Sequence, residues 1–221
     1  MSKVISKEEA VNFIKDGSTI MINGFMGVQN PHHLIDLMVR KGIRDLTLIA
    51  NDTAVPGKGI GKLIANRQIK KLIASHIGLN PETGNQINAG ELEAELIPQG
   101  TLAERIRCGG AGIGGFLTPT GIGTSIEEGK TKIVIDKKEY LLELPLRADV
   151  ALIRGSIADK AGNVYYKGTT KNFSLVMAMA ADIVIVEAEK IVEAGEIDAD
   201  LVMTQSLFVD YIVGDEESWG A

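Results

Sequence analysis

Runs rich in Ile, Leu and Val recur along the chain at residues 19–22, 46–49, 72–74, 95–97, 150–153 and 183–186, and the stretches between them have helical spacing. Near-continuous apolar strands alternating with amphipathic helices are the mark of parallel strands buried on both faces. The pattern predicts an α/β fold built on an open, mostly parallel sheet with helices on both faces. Residues 132–144, KIVIDKKEYLLEL, split into two strand-like halves around Asp136 to Lys138 and predict a β-hairpin inserted into that order. Residues 1–213 are expected to form one domain, and GDEESWGA, residues 214–221, to be a loosely held tail.

Helix starts are legible in places. Ser6-x-x-Glu9 and Thr101-x-x-Glu104 have the capping-box spacing, in which hydroxyl and carboxylate reciprocally satisfy first-turn amides. Asn30-Pro31 predicts an N-cap followed by proline at the first helical position. In open α/β sheets ligands bind beyond the carboxyl ends of the strands, where loops lead into helices. Glycines gather at such places: Gly24 and Gly27 after the first run, Gly57, Gly59 and Gly61 after the second, and Gly109, Gly110, Gly112, Gly114 and Gly115 after the helix that begins near Gln99.

Composition narrows the function classes. With 221 residues and 45% hydrophobic content the chain can bury a sizeable core, which excludes general disorder. A net charge of -6 argues against nucleic acid or an anionic membrane as the main partner, because both demand a basic footprint. The single cysteine, Cys108, can form neither an internal disulfide nor a thiolate metal site, so a reducing, cytoplasmic setting is expected. The opening MSKVISKEEA lacks the apolar core of a signal peptide. The longest apolar run, residues 175–181, ends at Asp182 and is far shorter than the roughly 18 residues of a membrane span. His32, His33 and His76 lack metal-ligand spacing, so no metal is expected.

Several stretches could carry chemistry. NGFMGVQNPHHLIDLM, residues 23–38, passes from strand through glycine loop into helix; glycines admit a bulky ligand close to the backbone, and the helix start favours an anion. It is neither a P-loop nor a GxGxxG fingerprint, and a ligand-free tight connection is the alternative. Gln99 follows a strand and precedes the Thr101 cap, so its amide could meet a reacting carbonyl; a preorganised donor of that kind is worth roughly 2.7 to 4 kcal/mol in acyl transfer. The bland alternative is that it satisfies loop carbonyls. Arg105 and Arg107 suit a phosphate or carboxylate, or else form a solvated helix face. Residues 108–124 hold seven glycines in seventeen residues, too dense for a helix to keep, which predicts either backbone contact with a ligand or partner or a mobile loop. Cys108 follows two arginines that could activate it, although a lone cysteine is more often a small buried hydrophobe. Asn51 and Asp52 end the second run, where polar groups meet ligands but where Asx residues also simply end strands. The residues thus favour an acyl or phosphate ligand without supplying a nucleophile or base.

Taken together, DGSTIMINGFMG with the following Asn30-Pro31, LTLIANDT, ASHIGLNPETG, ELIPQGTLAERIRCGGAGIGGFLTPTGIGT and PLRADVALIRGSIADKAGNVYY resemble the alpha subunit of family I CoA-transferases of the short-chain acetate/acetoacetate/butyrate type, over nearly the whole chain. The resemblance implies the CoA-transferase fold, related to that of sugar-phosphate isomerases, and ping-pong transfer of CoA from an acyl-CoA to a short-chain carboxylic acid through a glutamyl-CoA thioester. It places the nucleophilic Glu in a Ser-Glu-Asn-Gly tetrad on a beta subunit, and this chain has no such tetrad. It assigns Asn23, Gly24, Phe25, Met26, Gly27, Val28, Gln29, Gly112 and Gly114 to substrate or CoA binding and Gln99 to the oxyanion hole. The glycine loop, Gly112 and Gly114 included, would face the cleft or the beta subunit. Coenzyme A is then a substrate, and no permanently bound cofactor is expected. Two departures stand out: the family usually has glycine where this chain has Asn23, and often where it has Gln29. The rivals are an effector-binding domain sensing an acyl-CoA or sugar phosphate, and an isomerase, which would need a base of its own.

Overall fold

The computed structural model describes residues 2–214. Along the chain it forms α1 (Lys7–Val11), β1 (Thr19–Ile22), α2 (His32–Lys41), β2 (Leu46–Asp52), α3 (Ile60–Ala65), β3 (Ile69–His76), α4 (Pro81–Asn88), β4 (Glu93–Leu96) and α5 (Gln99–Ala111). There follow β5 (Phe116–Thr118), β6 (Lys132–Ile135), β7 (Lys138–Glu143), β8 (Ala148–Asp159), β9 (Val164–Tyr165), α6 (Ser174–Met179), β10 (Ala181–Val192) and β11 (Tyr211–Gly214). The main sheet runs β11-β10-β8-β1-β2-β3-β4 with every neighbouring pair parallel, and β9 pairs antiparallel with β8.

Residue parity explains why both faces are covered. Side chains along a strand alternate between faces. Ile20, Ile22, Leu48, Ala50, Leu72, Val150, Leu152 and Ile185 point into one buried cluster with residues of α1, α2 and α3. Their neighbours Met21, Ile49, Ile73, Ala151, Ile153, Val184 and Val186 point into a second, with residues of α5 and α6. β2 and β3 start with an irregularity: Leu46 pairs with Ile69 but Thr47 with Lys71, so one extra residue is absorbed there before the pairing Ala50 with Ala74 and Asp52 with His76. From β1 the sheet grows one way to β4 and the other way to β11, so the order reverses at the β1–β8 boundary, where the crevice of such a sheet opens.

The inserted hairpin is present as β6 and β7, and β5 adds a third antiparallel strand to it. The Ser6–Glu9 capping box is formed in both directions: the Glu9 amide donates to Ser6 Oγ at 3.2 Å and the Ser6 amide to Glu9 Oε2 at 2.9 Å.

Four expectations are corrected. Thr101 is not a cap: α5 already begins at Gln99 with Pro98 as N-cap, and Glu104 turns to Arg107 instead. Pro31 takes the N-cap position of α2, leaving the Asn30 side chain for another task. The helix does keep its glycines: α5 runs through Gly109 and Gly110 because other backbone lies against them, a Cβ on Gly109 falling 1.9 Å from the Leu146 carbonyl oxygen and one on Gly110 2.5 Å from Met179 Cβ. Gly112, in the left-handed region at φ 68°, then ends the helix, with the Gly112 and Ile113 amides both returning to the Cys108 carbonyl. Finally, Gly214 is the last residue of β11, paired with Ala188, and the remainder of the expected tail lies outside the described residues.

Candidate functional site

β1 delivers the chain to the crevice at Asn23, whose amide donates to the Leu152 carbonyl of β8. Asn23 is fully buried, and its Oδ1 accepts from the Phe173 amide at the entrance to α6. The next residues fold into a miniature hairpin: Phe25 and Val28 exchange backbone hydrogen bonds at 3.1 and 2.9 Å, and Met26 and Gly27 between them have φ 56° and 75°. Two consecutive left-handed residues are the signature of a type I′ turn. Glycine takes this conformation freely, but Met26 does not, and its amide is held by Asp52 Oδ2 at 2.8 Å. The tip leaves Phe25, Met26 and Val28 exposed, an apolar finger at the mouth of the crevice.

Asn30 fastens this finger from below. Its Nδ2 donates to the Asn23 carbonyl at 2.6 Å, and its Oδ1 accepts the Ile60 amide of α3 at 3.1 Å. Space for it comes from two glycines, since a Cβ on Gly24 would lie 2.1 Å from Asn30 Nδ2 and one on Gly59 1.8 Å from Asn30 Oδ1. Gln29 has φ 63°, a left-handed conformation that glycine takes more readily, and its Oε1 is buried without a hydrogen-bond partner. α2 begins directly below, and the amide of Leu34 in its first turn donates to Glu187 Oε2 at 3.0 Å. Glu187 is fully buried and its other oxygen meets Arg154 at 3.1 Å. A carboxylate at a helix start satisfies a free amide and complements the positive end of the helix. Burial, assisted by Arg154 and Lys62, holds the His32 ring below its ordinary imidazole pKa, so the neutral form is favoured beside these cations.

Asn51 and Asp52 end β2, and parity sends them to opposite faces. Asp52 joins the face of α2 and α3, where it latches Met26; Asn51 shares the face of Ile49 and meets α5. Gln99, the first residue of α5, donates from Nε2 to Asn51 Oδ1 at 2.8 Å. Ser75 of β3 lies 2.7 Å from both Oδ1 and the backbone oxygen of Asn51. Gln99 itself is exposed and bordered by a groove of about 350 Å³ lined by Pro98, Gly100, Thr101, Glu104, Phe116 and Thr118. Burial pushes the Asp52 carboxyl above the usual carboxylate range, against the pull of the Met26 and Ala54 amides and of His76. Its Oδ1 is buried without a hydrogen-bond partner.

The structure therefore brings residues 23–29 and Gln99 to the same edge of the sheet, but not Gly112 and Gly114. Those close the far end of α5; thirteen residues at 1.5 Å rise put Gly112 about 20 Å from Gln99. That end lies against Leu146, before β8, and Met179, before β10, at the amino-terminal edge of the sheet. The basic residues of α5 are also committed elsewhere. Arg105 is buried against Glu95 at 2.7 Å and the Leu144 carbonyl, while Arg107 chelates Glu104 at the surface. Cys108 is buried, and burial raises its thiol pKa, the reverse of activation. No cluster of three metal-ligating side chains occurs among the described residues. Nor is any helix among them long and apolar enough to cross a membrane.

The description "Coenzyme A transferase" belongs to a family model that matches residues 4–215. This chain belongs to the coenzyme A transferase family. Relatives in that family include a Clostridium acetobutylicum protein named acetoacetyl-CoA:acetate/butyrate CoA transferase alpha subunit, 59% identical over 96% of this chain and 97% of its own length. The Escherichia coli acetate CoA-transferase subunit alpha is 51% identical over 98% of this chain and 99% of its own. Among solved CoA-transferases, glutaconate coenzyme A-transferase from Acidaminococcus fermentans superposes with a TM-score of 0.85 at 21% identity, over 96% of this chain and 75% of that one. The acyl-CoA transferase YdiF of Escherichia coli O157:H7 superposes with a TM-score of 0.84 at 24% identity; it covers 97% of this chain, which spans only 47% of YdiF. At such identities the superpositions speak for the shared fold.

Proposed function

We propose that this CoA-transferase chain is the alpha subunit of a heteromeric short-chain acyl-CoA:carboxylate CoA-transferase of the acetate/acetoacetate/butyrate kind. The observation that carries the reading is the exposed Gln99 amide, held by one of its two Nε2 hydrogens to Asn51 at the carboxyl edge of the sheet. The second hydrogen is left to donate to the oxyanion that forms when a carboxylate adds to a thioester carbonyl, a role in which one donor is worth about 2.7 to 4 kcal/mol. The apolar finger from Phe25 to Val28 suits the pantetheine arm of CoA, which offers methyl and methylene groups with amides between them.

The attacking carboxylate comes from the beta subunit. Of the buried acidic residues on this chain's side of the crevice, Glu187 is engaged with Leu34 and Arg154, and Asp52 holds Met26 through Oδ2 while its Oδ1 is buried away from the cleft surface. The polypeptide acts in the cytoplasm as a single domain, with coenzyme A as substrate and no resident cofactor.

Reconstitution tests this reading. The isolated chain is expected to be inactive and the pair active in a coupled assay with acetate, butyrate and acetoacetate as acceptors. Borohydride after acyl-CoA treatment should modify a glutamate of the beta subunit; modification of Glu91 or Glu104 here would refute the division of labour. Gln99→Ala in the complete complex is expected to lower kcat by about 100-fold or more.

A further inference from the structure

We propose that Asn51 and Ser75 are positioning residues that hold the Gln99 amide with an N–H turned toward the reacting carbonyl. The inference rests on the donor role of Gln99 put forward above.

A glutamine side chain on the surface is a poor catalyst by default. Its amide rotates freely, and half of its orientations would present a carbonyl oxygen, which repels a developing oxyanion. Gln99 stands at the first position of α5 with its side chain exposed, and the flanking Gly100 offers no packing against it: a Cβ there would touch nothing within 4 Å. Whatever fixes the amide must therefore reach it from the sheet. Asn51 Oδ1 does so, and an amide oxygen can only accept, so the atom it holds at 2.8 Å is Gln99 Nε2. One hydrogen of that nitrogen is spent on Asn51; the other remains for the substrate.

Asn51 is fit for the task because it is itself immobile. It is buried to 2% exposure at the penultimate position of a central strand. The register that pairs Ala50 with Ala74 and Asp52 with His76 sets Ser75 beside it. The Ser75 hydroxyl lies 2.7 Å from both the side-chain and the backbone oxygen of Asn51, and its one proton donates to either oxygen or is shared between them. A buried side chain that also meets a hydroxyl on the neighbouring strand loses little further freedom when it holds something else, which is what preorganisation of a donor requires. The chain of contact thus runs from β3 through β2 to the first residue of α5, across three elements that share one rigid face of the sheet.

The test is a double-mutant cycle in the complete complex. Asn51→Ala is expected to lower kcat about 10-fold and Ser75→Ala about 3-fold, each leaving KM for acyl-CoA within about 2-fold, the pattern of an interaction made only in the transition state. In a Gln99→Ala background each substitution should cost less than about 2-fold, because the group being positioned is gone. A merely structural role would give the same fold-loss in both backgrounds, and that result overturns the proposal while leaving the donor role intact. A Gln99→Ala complex as fast as the parent would instead overturn the donor role, and the positioning with it. Should Asn51→Ala fail to fold, Ser75→Ala, which removes a single half-buried oxygen, completes the cycle alone.

Discussion

Asn30 ties the CoA-transferase finger to the body of the protein, and its removal can be reckoned from two contacts. The side chain is fully buried, donating to the Asn23 carbonyl and accepting from the Ile60 amide. In Asn30→Ala both backbone groups remain buried and lose their partner, and an unsatisfied buried group costs about 1 to 3 kcal/mol. The sum is about 2 to 6 kcal/mol. For a chain of this size each kcal/mol moves the melting temperature by about 2 to 4 °C, so a fall of about 4 to 24 °C is expected in scanning calorimetry at neutral pH. In the complex, KM for acyl-CoA should rise more than kcat falls, since the finger rather than Gln99 is loosened. Asn30→Asp separates the two bonds. It keeps an acceptor for Ile60 but turns an anionic oxygen on the Asn23 carbonyl; protonation restores a donor, so this variant should recover stability relative to the parent as pH falls from 7 to 5. A melting temperature of Asn30→Ala within about 2 °C of the parent would refute the reasoning, because it would mean that both backbone groups find other partners at no cost.

Three other outcomes follow from the same structure. Asp52 has a folded pKa raised above its unfolded value, so the native state holds the proton more tightly, and stability contributed by this group is present at low pH and lost as pH rises from the ordinary carboxylate range through the raised folded value. Asp52→Asn, which keeps an acceptor for Met26, should therefore gain stability relative to the parent at pH 7 compared with pH 4, and the opposite trend in paired thermal melts would count against the assignment. Gly110→Ala should destabilise although glycine to alanine inside a helix normally gains about 1 kcal/mol, because the new methyl would sit 2.5 Å from Met179 Cβ; a higher melting temperature would show that α6 gives way. Ser6→Ala should cost about 1 kcal/mol through loss of the capping box, measured by urea unfolding, and no change would mean that α1 adds nothing to global stability.

Much of the main sheet was legible because strands buried on both faces must be apolar throughout, and the six runs from residue 19 to residue 186 each fall on or overlap a strand. β11 and the short β5 escaped notice: Tyr211–Gly214 is brief and borders the tail, and Phe116–Thr118 is enclosed by glycines that read as loop. The glycine stretch misled because composition reveals that a side chain is missing but not what occupies its place; at Gly109 and Gly110 that is the backbone of Leu146 and Met179, from segments remote in sequence. Thr101 and Glu104 had capping spacing, yet Pro98 starts α5 three residues earlier than that pattern allows. Gln99 and the finger were singled out through resemblance and loop chemistry, and the fold sets both at the carboxyl edge of the sheet. Glu187 was missed altogether, since the Leu34 amide it satisfies is 153 positions away and no local pattern announces the pair. Asn51 and Asp52 were seen as candidates, but only strand parity divides them between two neighbours.

The irregular pairing at the start of β2 and β3 has a bearing on how this scaffold tolerates length changes. One surplus residue is already taken up between Ile69 and Lys71, ahead of the stretch where Ala50 meets Ala74. Loss of a single position at Lys70 could be absorbed by ironing out that kink, with the downstream ladder untouched. The same deletion between Leu72 and Ser75 has no slack to draw on: it would slide His76 into the place of Ser75 and uncouple the two strands just where α5 takes its bearing. The enzyme can thus lose one residue at the near end of this strand pair while the far end stays in step.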